Sequence, residues 1–126
     1  MINFSLDTNP KGMGIEALDA RGIQIGGQIH AHSLLLTAER LQPWPPQRFA
    51  ELTRDHLELM LAHPADVYLL GVGAQQRFPA VDLLAVFYAR GLGIEVMHSA
   101  AACRTFNILA AEGRNPVAGI LWEPSV

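Results

Sequence analysis

Residues 93–122, GIEVMHSAAACRTFNILAAEGRNPVAGILW, decide the fold class. Residues 93–97 form a short run of strand formers, His98-Ser99 marks a sharp junction, and an alanine-rich helix follows. Ser99 is the expected N-cap, because its hydroxyl can accept a bond from an orphan amide of the first turn. Ala102, Phe106 and Leu109 share one helical face, and burying Phe106 and Leu109 contributes about 1.5–3 kcal/mol each. Gly113 suits the left-handed position just past a helix end. Residues 117–122, VAGILW, then read as a second buried strand. In α/β proteins a site is expected where such strands end. That junction carries Met97, His98, Ser99, Cys103, Arg104 and Asn107.

The same alternation extends upstream. Residues 67–72, VYLLGV, bounded by Pro64 and Gly73, read as a central strand. A helix is expected over 80–90, with Pro79 at its start, Gly91 beyond its end, and Val81, Leu84, Phe87 and Tyr88 on one face. Another is expected over 47–62 on the stripe Phe49, Leu52, His56, Leu57, Met60 and Leu61, ending at His63-Pro64. Residues 42–46, QPWPP, cannot lie inside a helix or sheet. Residues 15–36 read as β structure, with turns at Arg21-Gly22 and Gly26-Gly27 and one strand over 29–37. Residues 1–14 read as an irregular lead-in. The sum is an α/β domain with helices on the sheet faces and an N-terminal β-hairpin appendage.

A chain of 126 residues is expected to form a single domain, 1–126, and 50% hydrophobic against 17% charged residues predicts a packed core. The apolar runs are far short of the ~20 residues that span a bilayer, so no membrane insertion is expected. No basic n-region precedes an apolar stretch, and a cytoplasmic location is the default. The net charge is −3 and the basic residues are scattered, which argues against nucleic acid as a partner. One cysteine excludes an intramolecular disulfide and a Cys-based zinc site. His30 with His32, and His56 with His63, share faces without an acidic partner at a recognised spacing, so no metal is expected. No cofactor is expected either: Gly71-Val72-Gly73 lacks the third glycine of a dinucleotide fingerprint, because Gln76 stands there.

Each candidate side chain has two readings. The start of the third helix offers free amides to an anion or small metabolite, yet a capped end needs no ligand. Cys103, near His98 and Arg104, could be an activated thiol or a buried small hydrophobe. Glu95 lies mid-strand, and an ion pair with Arg104 or Arg77 is expected to hold it. Trp44, between prolines, is either a core plug or a partner-contact residue. Asn107 and Arg114 could simply hold the loop before the last strand.

The motif AACRTFNILAAEGR, with Pro43-Trp44, VYLLGVG and GIEVM, resembles a small domain family of bacterial and archaeal proteins that includes the mitochondrial respiratory complex I assembly factor 3 proteins. The resemblance covers residues 15–122, with serine at position 99 where threonine is frequent. It implies a three-layer sandwich around a mixed sheet of about five strands, the last antiparallel to its neighbours. It implies no established enzymatic activity, and a role with other proteins for the animal members. With no complete catalytic set in view, the expected function is a non-catalytic interaction or assembly-like module with a protein partner. Its face is expected at Trp44 and a cleft of Gln75, Arg77, His98, Ser99, Cys103, Arg104 and Asn107. The alternative is a small-molecule or anion binder, or weak enzyme, using the start of the third helix, with Arg77 or Arg104 as counter-charge.

Overall fold

In the computed structural model, which describes residues 2–3 and 14–124, the run read as one strand over 29–37 is two strands in two sheets. The first sheet is antiparallel, in the order β1 (Ile2–Asn3), β2 (Ile15–Asp19), β3 (Gly22–Ile25) and β4 (Gln28–His30). It is thus a four-stranded sheet rather than a hairpin alone, and its outermost strand lies within the expected lead-in. The rest of that lead-in, apart from Gly14, lies outside the described residues. Gly26 and Gly27 have φ of 59° and 79°, the positive values the tight β3–β4 turn requires.

The main sheet contains β5 (Leu34–Thr37), β6 (Leu41–Pro43), β7 (Val67–Gly71), β8 (Glu95–Met97) and β9 (Pro116–Ile120), in the order β6-β5-β9-β7-β8. The sheet is mixed, as expected, with one correction. The last strand, β9, is antiparallel to β5 but parallel to β7. Pro43 sits on the edge strand β6, where its missing N–H leaves no gap in the ladder.

Three helices complete the fold: α1 (Arg54–Leu61), α2 (Val81–Tyr88) and α3 (Ser99–Ala111). The helix expected over 47–62 is broken. Phe49–Glu51 is a single 3-10 turn, and α1 starts afresh at Thr53, whose hydroxyl accepts from His56 N–H while His56 Nδ1 accepts from Thr53 N–H. This reciprocal cap uses a histidine where a glutamate or glutamine is usual.

The chain steps outward from β7 to β8 through α2, then back past β7 to β9 through α3. Right-handed crossovers in opposite directions place the two helices on opposite faces. Side chains divide accordingly. Leu34, Leu36, Leu69, Ala118 and Ile120 pack with Ala102, Cys103 and Phe106 of α3 and with Ile15, Ile23 and Ile25 of the first sheet. Leu35, Tyr68, Leu70, Val117 and Leu121 pack with Trp44, α1 and α2 on the other side. The result is three layers: α1 and α2, the mixed sheet, then α3 with the N-terminal sheet.

Candidate functional site

The carboxyl ends of β7 and β9 meet the start of α3, and Ser99 joins them. Its hydroxyl donates to Leu121 O (2.6 Å) and accepts from Gly73 N–H (2.8 Å), while its own N–H donates to Gly73 O (2.7 Å). Ser99 is therefore an internal clasp, only 2% exposed, and not the helix cap. The cap is His98, whose Nδ1 accepts from Ala101 N–H at 3.3 Å. Ala102 N–H is taken by His98 O. Three of the first four amides of α3 thus have partners inside the protein, which weakens the case for an anion there.

A cavity of ≈ 180 Å³ lies beside this clasp, lined by Leu18, Asp19, Ala20, Gly73, Ala74, Ser99, Leu121, Trp122 and Glu123. Its charged lining is two carboxylates. Hydrogen bonds from the Arg21 guanidinium and backbone, opposed in part by burial, hold the Asp19 carboxyl below its usual range. Glu123 accepts from Arg77 Nη2 (3.1 Å) and from Phe49 N–H (2.7 Å). Each carboxylate is already paired with an arginine, so the lining offers no free positive charge to an anion and suits a neutral group better.

The expected cleft residues part company. Arg77 turns toward Phe49, with its guanidinium carbon 4.4 Å from the ring centroid, and donates to Val72 O. Gln75 is exposed in the loop after β7, and Arg104 is exposed on α3. Cys103 is fully buried, and burial pushes its thiol up to about 12, so the activated-thiol reading fails. Asn107 is buried and doubly bonded to the backbone of β2: Oδ1 accepts from Ile15 N–H and Nδ2 donates to Ile15 O, both at 2.9 Å.

Two further expectations are corrected. Glu95 and Arg104 form no ion pair. Glu95 is exposed on the edge strand β8, where water solvates a carboxylate without a countercharge. Trp44 is not a contact residue: it is 1% exposed, and its indole N–H donates to His56 O at 3.2 Å.

The two most exposed large apolar side chains among the described residues lie close together in sequence. Phe78, in the β7–α2 link, is 72% exposed, and Val81, at the start of α2, is 77% exposed. The stripe expected along α2 is split: Leu84 and Phe87 face the core, while Val81 and Tyr88 face out. The signal was present in VDLLAVFY, whose one charge leaves the helix apolar on every side.

Residues 15–121 match the family described as "Protein of unknown function (DUF498/DUF598)". The chain belongs to the DUF498/DUF598 family. Among relatives of this DUF498/DUF598 chain, the "13 kDa major membrane protein" of Francisella tularensis subsp. holarctica is 29% identical over 67% of this chain and 70% of that protein. The bovine "NADH dehydrogenase [ubiquinone] 1 alpha subcomplex assembly factor 3" is 25% identical over 92% of this chain but only 64% of its own length, less than two thirds. A solved Xanthomonas campestris structure aligns at a TM-score of 0.75 and 38% identity, covering 86% of this chain and 83% of that one. No helix among the described residues is long and apolar enough to cross a membrane.

Proposed function

We propose that this DUF498/DUF598 chain is a non-catalytic, cytoplasmic protein-interaction module that docks through the outward face of α2 and the link before it. The observation that carries this reading is the exposure of Phe78 and Val81, 72% and 77%. Large apolar side chains held in water gain about 25 cal/mol per Å² when a partner covers them. The relation to a protein named as an assembly factor supports the same class of role.

Affinity capture from the native cell in mild detergent tests it, with wild type beside a Phe78→Ser, Val81→Glu variant verified as folded. A specific protein retained by wild type and lost by the variant is expected. An unchanged set of captured proteins would overturn the assignment of the face.

A second reading rests on the ≈ 180 Å³ cavity beside Ser99. It is that of a binder of a small neutral molecule. Titrating such compounds while following the amide resonances of Ala74 and Leu121 tests it, and shifts absent across the series count against it.

A further inference from the structure

The link 31–33 carries the chain from β4 of the first sheet into β5 of the main sheet, with His30 at the end of β4 and His32 in the link itself. His30 stands opposite Ile23 in the β3–β4 ladder, and Ile23 is fully buried, so the imidazole lies on the inner face of the first sheet. The His30 and His32 rings meet edge to face, with centroids 5.9 Å apart and planes at 78°. Both residues are half-buried.

The nitrogens of this pair are set unequally. His32 Nδ1 lies 3.0 Å from Ser33 O. A carbonyl only accepts, so that bond places the proton on Nδ1, and Nε2 of the neutral ring keeps its lone pair. Ligating histidines are oriented in this way, by a backbone carbonyl on the other ring nitrogen. The carbonyl is itself fixed: Ser33 is fully buried, its O also accepts from Trp44 N–H at 3.0 Å, and its Oγ accepts from Trp122 N–H at 3.0 Å. His30 Nε2, in contrast, is buried with no hydrogen-bond partner among the described residues. An orphan of that kind calls for a water or an ion.

The spacing of the rings suits one shared ion. At about 2.0–2.1 Å from each nitrogen, a zinc-sized ion holds two ring centres about 4.5–6.3 Å apart, and 5.9 Å lies inside that range. Rotation about the Cβ–Cγ bond, a broad torsion in histidine, aims the nitrogens at a common point. Imidazole selects zinc, copper or nickel over magnesium or calcium, and needs no carboxylate beside it. Among the described residues no group of three or more His, Cys, Asp or Glu side chains stands together, so water completes the shell and the ion exchanges readily.

We propose that His30 and His32 form a two-histidine site for a divalent zinc or copper ion, which pins the end of the first sheet to the link entering the main sheet. The site is separate from the α2 face and shares no lining residue with the cavity beside Ser99.

Zinc chloride and copper sulfate, each titrated into the chelator-stripped full chain with magnesium chloride as control, test it. Long-range proton–nitrogen spectra of the imidazoles come first, because they need no variant. With zinc, the ring-nitrogen signals of His30 and His32 are expected to move together and saturate at one ion per chain, while those of His63 stay. Calorimetry with each ion then compares His30→Ala, His32→Ala and His63→Ala, each verified as folded. Either of the first two is expected to weaken binding about tenfold or more, and His63→Ala to leave it unchanged. Zinc is expected to raise the thermal midpoint of wild type and not of His32→Ala, because the ion binds the folded joint.

Ring-nitrogen signals indifferent to zinc together with no heat from either ion up to millimolar concentration would overturn the proposal, and so would binding that survives both substitutions. Movement of His32 alone would overturn the pairing with His30. Binding at both histidines with an unmoved thermal midpoint would overturn the pinning role and leave the site standing.

Discussion

The indole of Trp44 lies against Gly119 of β9, with ring carbons 2.6–2.9 Å from where a β-carbon on residue 119 would sit. The pair explains both residues: glycine leaves the sheet bare at that point, and tryptophan fills the gap. Trp44→Ala is expected to destabilise by about 3–5 kcal/mol, the usual range for emptying a large aromatic site. Gly119→Ala forces the ring to move and is expected to cost about 1–3 kcal/mol. Urea denaturation of the two variants checks both, and stability unchanged in Trp44→Ala would contradict the core role.

Asn107 fastens the N-terminal sheet to α3 through both polar groups of the Ile15 backbone. Asn107→Leu leaves a buried N–H and C=O without partners, a loss of about 1–3 kcal/mol for each group left unsatisfied. The effect should be local before it is global. Hydrogen exchange at the Ile15 amide is expected to accelerate in the variant while the central strand β7 stays protected relative to it.

Burial raises the Cys103 thiol from its ordinary 9.0 to about 12. The neutral thiol is thus favoured in the folded state, and the sign of the pH effect follows. Its contribution is fully present below pH 9 and is lost as pH rises from there toward 12, because the unfolded chain releases the proton first. Tyr68, also raised by burial, acts in the same direction. Stability measured from pH 8 to 11 should fall, and fall less steeply in Cys103→Ala. Native protein should react with a thiol reagent only as fast as it opens, and rapid labelling at pH 8 would be incompatible with this burial.

Gly73 and the Arg77–Glu123 pair differ in weight although they touch. The pair is partly exposed, 37% and 24%, and water screens it, so Glu123→Gln is expected to cost at most about 1 kcal/mol. Gly73 has φ of 100°, and a β-carbon there would lie 2.7 Å from Glu123 Oε1. Gly73→Ala is therefore strained in backbone and in space, and its thermal midpoint should drop further than that of Glu123→Gln. The reverse order would refute this assignment of roles.

The elements were legible where periodicity was strong and local. Phe106 faces the core at the spacing read for α3, and β7 and β9 fall within the apolar runs assigned to them. The break before α1 was hidden because Leu52 keeps helical spacing across it, while the cap at Thr53 uses His56 in place of a carboxylate or amide. The candidate site was the least legible. Ser99, Cys103 and Asn107 stand on the expected junction, yet each turns inward to a partner on another element.

The sequence by itself determined the strands β7, β8 and β9, the helices α2 and α3 between them and the turn at Gly26-Gly27, because each depends on neighbours within a few residues. Only the tertiary structure decided that β9 lies parallel to β7 and antiparallel to β5, that Trp44 is inside and Phe78 outside, and that Ser99 is a clasp and not a cap. Those outcomes depend on contacts between segments far apart in the chain, such as Trp44 with Gly119 and Ser99 with Leu121. A side chain's local spacing carries no record of which distant backbone will cover it.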